Sequence, residues 1–173
     1  MITKFNNYND FTFEELFYRL PKELTDAMDT SRQSPQWHPE GFCTIHISIV
    51  FDLAKENFPE DKELLLCAIF HDLGKPETQK IRWENGIEKI SNHGHEKESM
   101  KYIERFFDLY KDVSTNYDKV YWICDNHMRM HLYNNNQMSQ TKKELLEKNE
   151  WFQSLKNFSY CDEMTGTSYQ VKK

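Results

Sequence analysis

The residues best equipped for chemistry lie in the stretch Phe70-His71-Asp72-Leu73-Gly74-Lys75-Pro76. An imidazole and a carboxylate sit side by side at the end of an apolar run, Leu64 to Phe70, and a glycine and a lysine follow at once. A neutral imidazole and an ionised carboxylate both ligate divalent metals, and such a metal makes bound water nucleophilic near neutral pH. Lys75 is close enough in sequence to reach a phosphate held at the same point. A His-Asp pair also arises by chance, so the case depends on which other residues the chain brings to it.

The elements that must do so can be read from periodicity. Phe13, Leu16, Phe17 and Leu20 recur at helical spacing after a Thr12 cap, with Glu15 three positions on. Pro21 suits the first turn of a second helix reaching about Met28. Residues 1–10 read as polar and frayed, and Thr30 to Gly41, with Ser34-Pro35 and His38-Pro39, reads as an irregular loop. Phe42 to Asn57 is helical, with Phe42, His46, Ile49, Val50, Leu53 and Ala54 on one side. Asp61 to Phe70 is apolar nearly all round in its second half, as expected of a central buried helix. Trp83 to Ile90, around Asn85-Gly86, reads as a small hairpin or an exposed loop. Ser91 to His95 leads into a helix that turns Tyr102, Ile103, Phe106 and Phe107 inward. Tyr117 to Leu132 carries Val120, Ile123, Cys124 and His127 on one stripe, and Asn134-Asn135-Asn136 breaks it. The last helix runs from Asn149 to near Gly166, with Phe152, Leu155, Phe158, Ser159 and Asp162 on one face. The sum is an all-α bundle of six to seven helices.

Composition narrows the class. At 173 residues, without internal repeat or Gly/Ser linker, the chain reads as one domain, a helical extension over 1–34 and a core over 35–168. Hydrophobic content of 38% beside 29% charged residues fits a soluble globular protein, and neither a signal core nor a membrane-length apolar run is evident, so a cytoplasmic location is expected. Cys43, Cys67, Cys124 and Cys161 are scattered and read as buried free thiols. A formal net charge of −6 argues against a grip on long nucleic acid, but one local cation and a metal can still hold a small anion.

His46 shares its stripe with Phe42, Val50 and Leu53. His127 follows Val120, Ile123 and Cys124 by seven, four and three residues, and Asp162 follows Leu155, Phe158 and Ser159 by the same intervals. All three polar groups therefore point toward the core. Singly, each histidine reads as a hydrogen-bonded core residue, and Asp162 as a cap or a partner for a cation. Jointly with His71-Asp72 they would make an odd core without a metal, because an unpaired buried carboxylate is costly.

These residues carry a resemblance. His46, His71-Asp72 and Asp162 form the H…HD…D pattern of the HD-domain metal-dependent phosphohydrolases. The likeness is sharper to the HD domain of bacterial CCA-adding tRNA nucleotidyltransferases, over roughly 35–168. It runs through His38-Pro39-Glu40-Gly41, His71-Asp72-Leu73-Gly74-Lys75, Asn92-His93-Gly94-His95-Glu96, Asp125-Asn126-His127 and Cys161-Asp162-Glu163-Met164-Thr165-Gly166. The resemblance implies that His46, His71, Asp72 and Asp162 ligate one divalent ion (Mn, Ni, Co, Mg, Fe or Zn), and that His95 and His127 would bind a second, with Asp72 bridging. Met128 stands where some dinuclear relatives carry a second histidine. His131, one turn after His127, reads as a helix-end histidine ahead of a neighbour of the site, and His38 and His93 as substrate contacts or exposed loop residues. The forty-odd residues before His46 resemble no nucleotidyltransferase head, so the hydrolase part alone is expected.

The expected activity is hydrolysis of a phosphate ester in a nucleotide-type substrate: a nucleoside monophosphate, a 2′,3′-cyclic phosphate, a cyclic nucleotide or a (d)NTP. Asp72 would hold the metal-activated water, Lys75 would offset charge on the phosphoryl group, and His95 or His127 would protonate the leaving oxygen. A di-iron oxygenase of the same fold and a non-catalytic, metal-stabilised module binding a nucleotide or partner are the alternatives. The aromatic segment Phe11, Phe13, Phe17, Tyr18 reads as a cap on the core or a self-association surface. Oligomeric state has no signal.

Overall fold

The computed structural model describes residues 5–35, 38–111 and 113–165. They form α1 (Phe13–Phe17), α2 (Lys22–Thr30), α3 (Cys43–Asn57), α4 (Glu63–Phe70), α5 (Lys75–Thr78), strands β1 (Lys80–Glu84) and β2 (Ile87–Ser91), then α6 (His95–Leu109), α7 (Tyr117–Asn134), α8 (Gln140–Glu147) and α9 (Phe152–Glu163). The fold is helical as expected, and its two strands make one antiparallel hairpin with Glu84 opposite Ile87. The helices beyond the expected seven are α5 and α8, both short. No helix among the described residues is long and apolar enough to cross a membrane. Gly166, expected near the end of the last helix, and residues 1–4 of the expected frayed start lie outside the described residues.

α4 is the central element. Every residue from Leu64 to Phe70 is buried, and α3, α6, α7 and α9 pack around it. Side chains on all sides of one helix find apolar partners only if other helices surround it, which explains its uniform hydrophobicity. The position also serves chemistry, because α4 delivers His71 and Asp72 from its C-terminal end into the middle of the bundle. All four cysteines are free and buried.

The first residues differ from expectation. Phe5 to Asp10 forms 3₁₀ turns interrupted at Asn7, and Phe5 and Tyr8 are fully buried. The Phe5 ring lies 4.4 Å from Tyr110 and 5.2 Å, edge-on, from Phe106, while the Tyr8 hydroxyl meets Thr115 Oγ1 at 3.1 Å. Two aromatics dispersed among asparagines escape a search for periodicity but still exclude water well. α1 then begins with a capping box in which Thr12 Oγ1 accepts from Glu15 N and Glu15 Oε2 accepts from Thr12 N. Phe11, Phe13 and Phe17 pack on the core as caps, and Tyr18 stays exposed.

Gly74 sets the approach of α6 to α4. A Cβ there would lie 2.6 Å from Ser99 N and clash with the His95 carbonyl, so only glycine admits the start of α6. Gly74 N donates to Ser99 Oγ at 2.9 Å, and Ser99 Oγ donates to the His71 carbonyl at 2.8 Å. This buried clamp ties the helix that starts with His95 to the turn that holds His71 and Asp72.

Candidate metal centre

Six side chains from five places in the fold converge. His46 comes from α3, His71 and Asp72 from the end of α4, His95 from the first turn of α6, His127 from α7 and Asp162 from α9. All six are buried. Asp72 is at the middle. Its Oδ2 lies 3.4 Å from His46 Nε2 and 3.3 Å from His71 Nε2, and its Oδ1 lies 3.0 Å from His95 Nε2 and 4.0 Å from His127 Nε2. Asp162 Oδ1 closes the first group from another side, 3.0 Å from His46 Nε2 and 3.7 Å from His71 Nε2. Two donor sets share Asp72, His46–His71–Asp72 and Asp72–His95–His127, and His38–Glu40–His46 makes a third group beside them, each with ligand atoms within 4.8 Å of one another.

The outer nitrogens decide what this arrangement can hold. His71 Nδ1–H donates to the Ala68 carbonyl at 3.0 Å, His95 Nδ1–H to Asn92 at 2.7 Å and His127 Nδ1–H to Cys124 at 2.7 Å. A carbonyl only accepts, so these bonds fix the ring hydrogen on Nδ1, and the neutral ring turns a bare Nε2 lone pair inward. His46 Nδ1 is held the same way by Glu40 Oε1 at 2.9 Å. Inside the cluster, His46 and His71 bring their Nε2 atoms to 3.2 Å, and His95 and His127 bring theirs to 3.1 Å. Lone pairs so close repel unless a proton or a cation stands between them. Histidines and carboxylates in such numbers, with their outer nitrogens anchored, fit a divalent cation.

Electrostatics agree with that reading. Burial opposes ionisation of Asp72, yet His71, Lys75 and the hydrogen bonds around it prevail and hold the carboxyl well below its ordinary range. Asp162 behaves alike, with His131 and His46 outweighing its burial. Burial disfavours a charged His46, but Asp162 and Glu40 outweigh that and raise it to about 9. For His127, burial and then the nearby His95 and His71 push the pKa well down, so that ring is neutral.

Lys75 is 4% exposed, which rules out the solvated lysine that its position near a helix end would also allow. Its Nζ lies 2.5 Å from Asp72 Oδ2 and also donates to Gln33 Oε1. His131 is the site neighbour that its place one turn after His127 allowed, not only a helix-end histidine: its Nε2 is 3.0 Å from Asp162 Oδ2. His38 is half-buried and faces Glu40 Oε1 at 3.0 Å, whereas His93 is exposed. Glu40 and Gln33 were not legible as site residues. Both lie in the irregular loop before α3, where no period tells inside from outside, and the one signal is that Glu40 belongs to the resembling block His38-Pro39-Glu40-Gly41, which attaches no role to it. The loop is itself fastened to the hairpin, through Arg32 Nη2 to Glu88 Oε2 at 2.7 Å and Gln79 Nε2 to the Arg32 carbonyl.

Residues 45–150, more than half of the chain, match the family model described as HD domain. The chain belongs to the HD domain family. That span includes His46, His71, Asp72, His95 and His127, and Asp162 lies beyond it. Among curated proteins, the HD chain is 35% identical over 72 residues to a Multifunctional CCA protein of Janthinobacterium sp. (strain Marseille), covering 42% of this chain and 16% of that protein. It is 34% identical over 87 residues to the Multifunctional CCA protein of Herminiimonas arsenicoxydans, covering 50% and 19%. The chain thus spans less than a fifth of the length of these relatives. No solved structure matches. HD domains form a superfamily of metal-dependent hydrolases, and this member places His/Asp clusters able to hold a metal at its centre.

Proposed function

We propose that this HD domain is a metal-dependent phosphohydrolase acting on a phosphate ester of a nucleotide-type substrate. The supporting observation is Asp72, whose two oxygens face two histidine pairs with inward Nε2 atoms. His46, His71, Asp72 and Asp162 would hold one divalent ion, and Asp72, His95 and His127 a second. A bound ion supplies Lewis-acid activation of water and polarisation of a phosphoryl oxygen. Asp72, ionised and reaching both sets, would hold and orient the attacking water. Lys75 keeps Asp72 ionised, and its third N–H, engaged by neither Asp72 nor Gln33, can bond a phosphoryl oxygen as negative charge builds there. His127, held neutral, is suited to ligation, so protonation of the leaving oxygen would fall to His95 when only one ion is bound, in its doubly protonated form with Nε2–H facing inward and Nδ1–H kept on Asn92.

The test is a panel of nucleoside monophosphates, 2′,3′-cyclic phosphates, cyclic nucleotides and (d)NTPs with Mn²⁺, Ni²⁺, Co²⁺ or Mg²⁺, run beside Asp72→Ala. Turnover of one class, lost in the variant, is expected; a wild-type rate no higher than the variant's on every substrate would exclude a hydrolase. The paired donor sets also suit two irons, the oxygenase reading. That reading requires bound iron and an O₂-dependent reaction, and a buried lysine at the carboxylate favours phosphate over it. A protein that binds metal and turns over nothing would instead be a metal-stabilised binding module.

A further inference from the structure

A hollow of about 550 Å³ lies on the far side of α7 from the metal centre, between that helix, residues 137–139 and α8. At 3.6 residues per turn, Trp122 and Arg129 stand roughly 140–160° around α7 from His127. The hollow therefore shares a helix with the donor cluster but opens elsewhere. Its size suits a ligand of nucleotide dimensions.

Its lining is unusual for this chain. No aspartate or glutamate contributes to it, although the formal net charge is −6. Two cations do, Arg129 and Lys142, and among the described residues no carboxylate pairs with either. Arg129 Nη1 donates to Asn126 Oδ1 at 2.9 Å, and Asn126 Nδ2 donates to the Trp122 carbonyl at 2.8 Å. That chain of bonds fixes a buried amide and leaves most of the guanidinium donors free. The apolar part includes half-buried Trp122, set at a steep angle to Trp151 at 6.1 Å, and buried Leu146, with Leu132, Met138 and Leu145 around them. Gln137 adds an amide that can read ring nitrogens and exocyclic groups, and Asn149, whose Oδ1 accepts from Trp151 N at 2.8 Å, adds an Nδ2 donor.

We propose that this hollow is a second binding site, for a small anion with a flat heteroaromatic ring, in chemical class a nucleoside monophosphate. The ring lies against Trp122 and Leu146, where a π-face is accepted without regard to base identity. The phosphate is drawn to Arg129 and Lys142, the bidentate guanidinium giving geometry and the ammonium a point charge. A purely aliphatic acid would satisfy the cations and leave the amides unpaired. The site stands whether or not the metal centre is a phosphohydrolase.

Equilibrium dialysis of the full chain with the non-hydrolysable methylene phosphonate analogue of AMP tests it, with inorganic phosphate and adenosine as separate probes. Wild type is expected to bind the analogue saturably, with phosphate and adenosine each at least tenfold weaker. Arg129→Ala/Lys142→Ala is expected to lose one equivalent of binding while keeping its thermal unfolding temperature, because both side chains are exposed. No saturable binding, unchanged binding in the double variant, or phosphate alone binding as tightly as the analogue would overturn the site.

Discussion

Glu40 Oε1 meets His46 Nδ1 at 2.9 Å, so a loop residue sets the orientation of a ring that faces Asp72 with its other nitrogen. Hydrogen bonds from His38 and His46 overcome the effect of burial and hold the Glu40 pKa at about 2, so the carboxylate is charged throughout the working range. A metal-binding histidine anchored by an ionised carboxylate is a stronger and better-oriented ligand. Glu40→Ala should therefore weaken Mn²⁺ or Ni²⁺ binding by about 10- to 100-fold, measured by competition with a chelating dye. Glu40→Gln, which still accepts a hydrogen bond but carries no charge, should fall between the two.

The contact of α6 with α4 predicts a sharp penalty at Gly74. A methyl group there meets the backbone of α6, which cannot move without displacing His95. Gly74→Ala should cost about 1–3 kcal/mol from overpacking alone, read as a fall in urea midpoint, and should also weaken metal binding. Ser99→Ala removes the buried hydroxyl between Gly74 N and the His71 carbonyl and should cost a similar ~1–3 kcal/mol. Its backbone stays in place, so the loss of metal affinity should be smaller than in Gly74→Ala.

Acid–base behaviour should separate the metal-free from the metal-loaded protein. His46 is raised to about 9 and His131 to about 10 by their carboxylate partners, against an unfolded value near 6.5. A raised folded pKa contributes stability that is complete below the unfolded pKa and is lost as pH climbs through the folded one. Chelated protein should thus melt at progressively lower temperature from about pH 7 to pH 10. Ligation needs a neutral His46 and displaces its proton, so metal affinity should rise about tenfold per pH unit until near pH 9 and then level off. Thermal scans and metal titrations across this range check both slopes, which run in opposite directions.

The burial of Phe5 predicts that the start of the described chain stabilises the core. Phe5→Ala should cost roughly 3 kcal/mol, lowering the melting temperature by about 6–12 °C, as followed by circular dichroism. An unchanged melting temperature would mean that this ring adds nothing in solution.

What could be read in advance depended on whether a residue sat in a repeating pattern. His46, His127 and Asp162 occupy apolar stripes, so helical spacing alone turns them inward, and the structure brings them together with His71 and Asp72. Glu40 and Gln33 occupy a loop, where inward direction comes from a chain path that no period encodes. α8 escaped notice because Gln140–Glu147 is polar apart from Leu145 and Leu146, and only Leu146 is buried. The hairpin was legible only as one of two options, since β1 is exposed on both faces and shows no alternation. Lys75 could be placed near Asp72 by spacing, but its burial follows from the loop that carries Gln33 over it.

In the proposed site, Asp72 joins two donor sets that would hold divalent metal. Crystals of the protein soaked in Mn²⁺, with diffraction recorded at the manganese edge, test it most directly. An anomalous peak is expected among His46, His71, Asp72 and Asp162, and at saturating metal a second among Asp72, His95 and His127. A saturated crystal with no peak touching Asp72 would contradict it.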